Sequence, residues 1–131
     1  MINALKRIVF DCCTFLFIFL SIFGSFDLVA VANTEKQNDQ LIEKISRDFT
    51  KKFCNGLAFG LSKDSAMDFA DKENSLTFQK KKGIDKLNKK LLANKIAYSV
   101  IDTCGYPLGL RGEDGVNEFE KEYNSMKGHN S

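Results

Sequence analysis

Two cysteines stand where thiol or disulfide chemistry could occur, one in the stretch KKFCNGLAFG and one in DTCGY. A reactive thiol needs a histidine or a CxxC partner nearby to lower its pKa, whereas Cys54 has only Lys51 and Lys52 within reach along the sequence. A bond between Cys54 and Cys104 would close a loop of about 50 residues and stabilise a small domain by roughly 4 kcal/mol. A structural disulfide is therefore favoured over a pair of buried free thiols.

Other side chains that do chemistry are scarce. The only histidine, His129, lies in the C-terminal tail, so histidine acid–base catalysis, a catalytic triad and a histidine metal site have no residues to form them. Asp64, Asp68 and Asp71 share one face of a predicted helix, but with lysines beside them they are typical of a solvated face. No phosphate-binding GK[ST] ending follows the glycines. We predict no catalytic residues, no metal ligands and no cofactor, and hence no enzyme.

The amino-terminal segment is typical of a secretory signal peptide. Basic residues precede an apolar core from Thr14 to Phe23, and Ala30 and Ala32 place small residues where a signal peptidase reads. This apolar core is too short to cross a bilayer of about 30 Å. We predict that residues 1–32 are a signal peptide and that the chain is exported. The alternative is an uncleaved, single-span anchor with the same domain outside the membrane.

Export bears on the cysteines, because oxidising compartments do not leave thiols idle. Of the four cysteines, two leave with the predicted signal peptide, and Cys54 and Cys104 remain. One disulfide between them is the prediction. The formal net charge of +2 is the same with or without residues 1–32, so net charge implies no strong electrostatic partner.

Apolar periodicity predicts helices in the first half of the domain. A stripe at i+4 spacing indicates a helix from about residue 37 to residue 59, and a shorter helix follows at 65–72. The polar stretch 73–82 predicts a loop in which Leu76 and Phe78 turn toward the core.

Two more helices are predicted in the second half, at 83–103 and 115–126. A strand at 96–101 competes with the first of them, because β-branched residues are frequent there. The predicted fold is all-α: a small bundle of about four helices stapled by one disulfide. It forms a single domain over residues 33–131, with a loose C-terminal tail.

A run of lysines marks the start of the predicted third helix, with Asp85 as the only acid among them. Lys82, Lys86, Lys89 and Lys90 fall on its polar side, where they could contact an acidic protein or an anionic lipid surface. The competing interpretation is a solvated face whose charge is offset by acids of the last helix. Nucleic acid is a poor fit, because no aromatic residues interleave with these lysines.

The stretch GYPLGLRGEDG predicts a loop, because glycine and proline interrupt any helical period. Loops held by a scaffold often carry binding function, so Tyr106, Leu108 and Arg111 are candidate contact residues. The competing interpretation is a connector in which Leu108 and Leu110 fill the core.

The stretches FCNGLAFGLSKDSAMDFA and LLANKIAYSVIDTCGYPLG resemble small exported proteins of marine picocyanobacteria that have no assigned activity. The likeness spans the middle of the chain that follows residue 32. It implies a periplasmic or thylakoid-lumen setting and a paired cysteine, and it supplies no site residues.

Because no catalytic group is in view, we expect an accessory or interaction protein of the periplasm or thylakoid lumen that acts by binding. Its partner would be a protein or a membrane complex, and the sequence identifies no small molecule. The alternatives are a thiol-redox protein that cycles Cys54 and Cys104, or a single-span membrane-anchored protein with an external domain.

Overall fold

The structure is a computed structural model that describes the backbone of residues 26–129 and the side chains of residues 35–128. The predicted signal peptide therefore falls largely outside the described residues. The chain divides into two compact units, residues 1–37 and residues 38–131. In the described part of the first unit the backbone is helical. The second unit contains the core and the candidate sites.

Residues 26–129 form α-helices and short 3₁₀ helices, with no β-strand among them. The elements in chain order are α1 (Phe26–Ala58), α2 (Lys63–Phe78), a first 3₁₀ helix (Ile84–Lys86), α3 (Lys89–Cys104), a second 3₁₀ helix (Tyr106–Leu108) and α4 (Gly112–His129). The predicted all-α fold is confirmed. The competing strand is wrong, because residues 96–101 lie inside α3.

Helix α2 is longer than predicted and runs through residues 73–78, which the sequence indicated as a loop. Ser62 caps its start, where the Oγ accepts a hydrogen bond from the Ser65 N–H at 3.3 Å. The helix continues because its inward-facing stripe continues. That stripe consists of Ala66, Met67, Ala70, Asn74 and Phe78. Phe78 is buried as predicted, but Leu76 lies on the opposite side of the helix and is 64% exposed.

The apolar pattern predicted that helix α3 begins at residue 83. The helix begins instead at Lys89. Asn88 is its N-cap, and the Oδ1 accepts a hydrogen bond from the Leu91 N–H at 3.0 Å. Gly83 takes a φ of 89°, a left-handed conformation that glycine adopts without steric strain. The chain reverses its direction at Gly83, and α3 starts only after its cap at Asn88.

The connection between α3 and α4 is shorter than predicted, because α4 begins at Gly112. The Leu110 N–H donates a hydrogen bond back to the Gly105 carbonyl at 3.0 Å, which closes the turn. Leu110 is buried and Leu108 packs half-buried against the core. The connector interpretation is thus confirmed for these two leucines.

Two apolar clusters hold the second unit together. In the main core, Phe49 of α1 packs edge-on against Tyr123 of α4 with ring centroids 5.3 Å apart. Phe53 packs likewise against Phe119 at 5.2 Å. Small and branched residues of α2 and α3 fill the space around these rings: Ala66, Met67, Ala70, Ala93, Ile96, Ala97 and Val100. The second cluster consists of Ile42, Ile45, Phe78 and Leu87.

A disulfide joins Cys54 of α1 to Cys104 at the end of α3, with the Cα atoms 5.9 Å apart. The predicted pairing is confirmed. About one turn earlier in both helices, the Thr50 Oγ1 donates a hydrogen bond to the Ser99 Oγ at 2.9 Å. These two links show that α1 and α3 run side by side in the same direction.

The second unit therefore has two chemically different ends. The disulfide end holds the turn after α1 and the connection before α4, residues 58–63 and 104–112. The lysine end holds the connection from α2 to α3, residues 78–90.

Gly105 is a position of close backbone approach, and alanine there should destabilise the fold. An added Cβ would lie 2.6 Å from the Ile101 carbonyl oxygen and 2.7 Å from the Leu110 carbonyl oxygen. We expect Gly105→Ala to lower the free energy of unfolding by about 1–3 kcal/mol, as overpacking does. Urea unfolding measures the loss. At Gly128 of α4 an added Cβ meets nothing within 4 Å, so Gly128→Ala is the control and should not destabilise. Equal losses in both variants would contradict the steric argument.

Candidate functional site

Six exposed lysines occupy the lysine end: Lys80, Lys81, Lys82, Lys86, Lys89 and Lys90. The predicted contact residues Lys82, Lys86, Lys89 and Lys90 are all among them. The structural reason given for their grouping is wrong, however. They belong to the turn, the first 3₁₀ helix and the first turn of α3, and not to one face of a single helix. The chain reversal at Gly83 gathers them.

Ion pairs do not neutralise this cluster. Within the described residues, none of the six lysines lies in an ion pair. Two acids of α4 have other partners, since Glu122 pairs with Lys63 at 2.6 Å and Glu120 accepts a hydrogen bond from Asn94 at 2.9 Å. With Asp85 as the single acid, residues 80–90 carry a formal charge of +5. The positive end of the α3 dipole and the negative end of the α2 dipole both lie in this region and offset each other, so the field comes from the lysines themselves.

A cleft of about 480 Å³ opens at the lysine end. Side chains from α1, α2, α3, α4 and the first 3₁₀ helix line it. Its apolar lining includes Ile45, Phe78 and Leu87 of the second cluster, together with Ile84 and Leu92. Its polar lining includes Asp71, Asn74, Asp85, Lys89, Tyr123 and Lys127. A mostly apolar surface with a few polar groups is the usual composition of a small-molecule site.

Asn74 is the most unusual residue of the cleft, because it is only 5% exposed in the middle of α2. Its Nδ2 donates a hydrogen bond to the Ile45 carbonyl oxygen at 3.2 Å. A carbonyl oxygen can only accept, so this bond determines which way the amide faces. Within the described part of the chain, the buried Oδ1 has no hydrogen-bond partner.

An ion pair and a phenol complete the polar lining. Asp71 Oδ1 lies 2.6 Å from the Lys127 Nζ. Burial raises the pKa of Tyr123 far above its ordinary value, and the negative charge of Asp71 raises it further. The Tyr123 phenol therefore keeps its proton to a higher pH than an ordinary tyrosine does.

Tyr123 should make the fold lose stability in alkaline solution. The unfolded chain ionises this tyrosine from about pH 10, while the folded chain keeps the proton. The contribution of Tyr123 to the free energy of unfolding should be complete below about pH 10. Above that pH it should fall by up to about 1.4 kcal/mol per pH unit. Urea unfolding of wild type and Tyr123→Phe between about pH 9 and pH 11 measures the difference, and lysine ionisation, common to both, cancels. Identical pH dependence in the two proteins would contradict the assignment.

The disulfide end displays the other predicted contact residues. Tyr106 is 78% exposed, and the guanidinium carbon of Arg111 lies 4.8 Å from the centre of its ring. Such a cation–π contact holds both side chains in place on the surface. The structure thus brings Tyr106 and Arg111 together, whereas Leu108 serves the main core.

The aspartates of α2 do not converge on one site. Asp68 pairs with Lys72 at 2.7 Å, and Asp71 pairs with Lys127. Among the described side chains, no group of three or more histidine, cysteine, aspartate or glutamate residues is arranged to hold a metal ion.

Sequence reasoning missed the cleft, although one signal was present. Asn74 interrupts an apolar stripe between Ala70 and Phe78 at i+4 spacing. Because residues 73–82 were predicted as a loop, this i+4 spacing was not recognised as one face of a helix. The remaining lining residues come from distant parts of the chain and leave no local pattern.

The helices within residues 26–129 are all too short or too polar to span a bilayer. Comparison of the chain with protein-family models, curated proteins and solved structures finds no match to any of them.

Proposed function

We propose that this protein is an exported, small helical accessory or interaction protein of the periplasm or thylakoid lumen. It acts by binding and not by catalysis, and the lysine end is its contact with an acidic partner protein. The observation that carries the proposal is the formal charge of +5 over residues 80–90, with no ion pair to neutralise it within the described residues. Export rests on the signal-peptide pattern of residues 1–32 and on the disulfide, a bond typical of oxidising compartments.

An acidic protein fits the lysine end better than a lipid surface does. The apolar residues that flank the lysines, Phe78 and Leu87, are buried in the second cluster. The most exposed aromatic residues, Phe59 and Tyr106, belong to the disulfide end. Beside the lysines, the exposed large apolar side chains of the described residues are Leu76 and Leu91, which are too few to form the continuous apolar face that inserts surface helices into a membrane.

Contacts of this kind act through several weak pairs. One exposed ion pair contributes about 0.2–1 kcal/mol, so affinity depends on how many lysines engage together. The same charges raise the association rate, and added salt screens both effects.

The test reverses charges at the lysine end. We expect wild-type protein to bind poly-L-glutamate, used as a probe for an acidic partner, at low ionic strength. The triple variant Lys81→Glu, Lys82→Glu, Lys86→Glu should weaken binding about tenfold or more. Titration by isothermal calorimetry, repeated at about 0.15 M salt, measures the affinity and its screening.

The matched control places the same charge change elsewhere, with Lys51→Glu, Lys95→Glu and Lys121→Glu on exposed positions of α1, α3 and α4. It should retain most of the binding. Equal weakening in both triples would show that only net charge matters and would contradict a localised site. Vesicles of phosphatidylglycerol and phosphatidylcholine form a second arm. Lysine-dependent binding to vesicles, without binding to poly-L-glutamate, would replace the protein partner with a membrane.

A further inference from the structure

The cleft at the lysine end has the dimensions of a small-molecule site. Its volume of about 480 Å³ falls within the roughly 300–1,000 Å³ of such sites. It opens where the two apolar clusters fail to merge, since Tyr123 belongs to the main core while Ile45, Phe78 and Leu87 belong to the second cluster. Apolar side chains therefore line the cleft without filling it.

Asn74 places one hydrogen-bond acceptor without a partner in the lining of this mostly apolar cleft. Its Nδ2 is already engaged by the Ile45 carbonyl, so the Oδ1 is the atom that needs a donor. A leucine at this position would continue the apolar stripe of α2 and would leave no acceptor unpaired, so asparagine is unfavourable for folding alone. A ligand that donates a hydrogen bond to this side chain would explain why asparagine, and not leucine, stands at position 74.

We propose that the cleft binds a small amphipathic molecule, uncharged or anionic. Its apolar ring or chain lies against Ile45, Phe78 and Leu87. The Asn74 Oδ1 is covered by protein atoms in the unliganded protein, so a shift of the lining side chains accompanies binding and lets the ligand's hydroxyl or N–H group donate a hydrogen bond to it. This site shares Lys89 with the contact for an acidic partner, but ligand binding in the cleft does not depend on that partner.

The charges around the cleft determine which ligands it excludes. Asp71 and Lys127 pair with each other, and Asp85 and Lys89 carry opposite charges, so the lining is formally neutral. The lysines beyond the lining make the surroundings positive and disfavour a cationic ligand. The protonated hydroxyl of Tyr123 is a second polar group in the lining.

The first test uses N-phenyl-1-naphthylamine, an uncharged fluorescent probe with an apolar body and one N–H donor. Wild-type protein should bind it saturably, with a rise in dye emission. Ser75 is exposed on α2 and lines the cleft, so Ser75→Trp should occupy the cleft and reduce affinity at least about tenfold. Asn117 is exposed on α4 and does not line the cleft, so Asn117→Trp should bind like wild type. Absence of saturable binding, or equal binding by both tryptophan variants, would overturn the proposal.

The second test asks whether Asn74 accepts a hydrogen bond from the ligand. 1-Naphthol and 1-methoxynaphthalene compete for the cleft, and only the first has a donor. Wild-type protein should prefer 1-naphthol by about fivefold, the effect of one hydrogen bond. In Asn74→Leu this preference should disappear while both compounds still displace the dye. An unchanged preference would refute the role of Asn74. Circular dichroism verifies folding, and if Asn74→Leu does not fold, the tryptophan pair decides.

The two proposals can fail separately. Reversal of Lys81, Lys82 and Lys86 tests the acidic partner and leaves the residues of the cleft lining unchanged. Dye binding that survives this triple, together with loss of poly-L-glutamate binding, supports both proposals. Dye binding without any poly-L-glutamate binding supports the cleft alone.

Discussion

Replacing both Cys54 and Cys104 with alanine should lower the free energy of unfolding by about 4 kcal/mol, because the disulfide joins residues 50 positions apart. Without this bond the unfolded chain regains the conformational freedom of the whole loop. Both cysteines also pack against the main core, so alanine removes some packing as well. A domain of this size is stable by about 5–15 kcal/mol in total, so the loss is a large share.

Urea unfolding of wild type, with and without dithiothreitol, provides the measurement and its control. Reduction should destabilise wild type by nearly the same amount and should leave the double alanine variant unchanged. Reduced wild type that is as stable as the oxidised form would contradict a structural disulfide. It would instead favour a redox protein in which Cys54 and Cys104 are oxidised and reduced in turn. A reduction potential of this pair close to that of the compartment in which the protein resides would support that function.

Replacing Phe53 with alanine should lower the free energy of unfolding by about 3–5 kcal/mol. Phe53 is completely buried, and its ring lies 6.0 Å from that of Phe49 and 5.2 Å from that of Phe119. Its removal leaves a cavity that the neighbouring helices cannot close, because Phe49 and Phe119 are held by their own packing. Thermal and urea unfolding, followed by circular dichroism, measure the effect.

Phe59 provides a matched control for Phe53. It follows the end of α1 and is 88% exposed, so Phe59→Ala removes the same atoms without opening a cavity. We expect a change within about 0.5 kcal/mol. Comparable losses at Phe53 and Phe59 would mean that burial in the main core does not govern stability here.

The predicted helix boundaries were right where local signals were strong and wrong where packing decided them. The i+4 stripe predicted the end of α1 to within one residue, at Ala58, but the predicted start at about residue 37 was wrong, because the helix begins at Phe26. By contrast, residues 73–78 read as a loop because most of their side chains face water. They are helical because Asn74 and Phe78 extend the inward stripe of α2 and contact α1 and the second cluster. A single-sequence pattern cannot report such contacts with distant residues.

The candidate contact residues show the same division. The lysine run was visible as composition, but its grouping depends on the reversal at Gly83 and the cap at Asn88, which end any continuous helical face. Tyr106 and Arg111 were selected for their place in a loop, and the cation–π contact between them appears only in three dimensions.

By itself, the sequence determined the helical class and the pairing of Cys54 with Cys104. The first depends on the periodicity of neighbouring residues, and the second on how few cysteines remain after residue 32. Tertiary structure alone decided the cleft and the unpaired Oδ1 of Asn74. The reason is physical: the lining comes from α1, α2, α3, α4 and the first 3₁₀ helix, and only their packing places these side chains around one space.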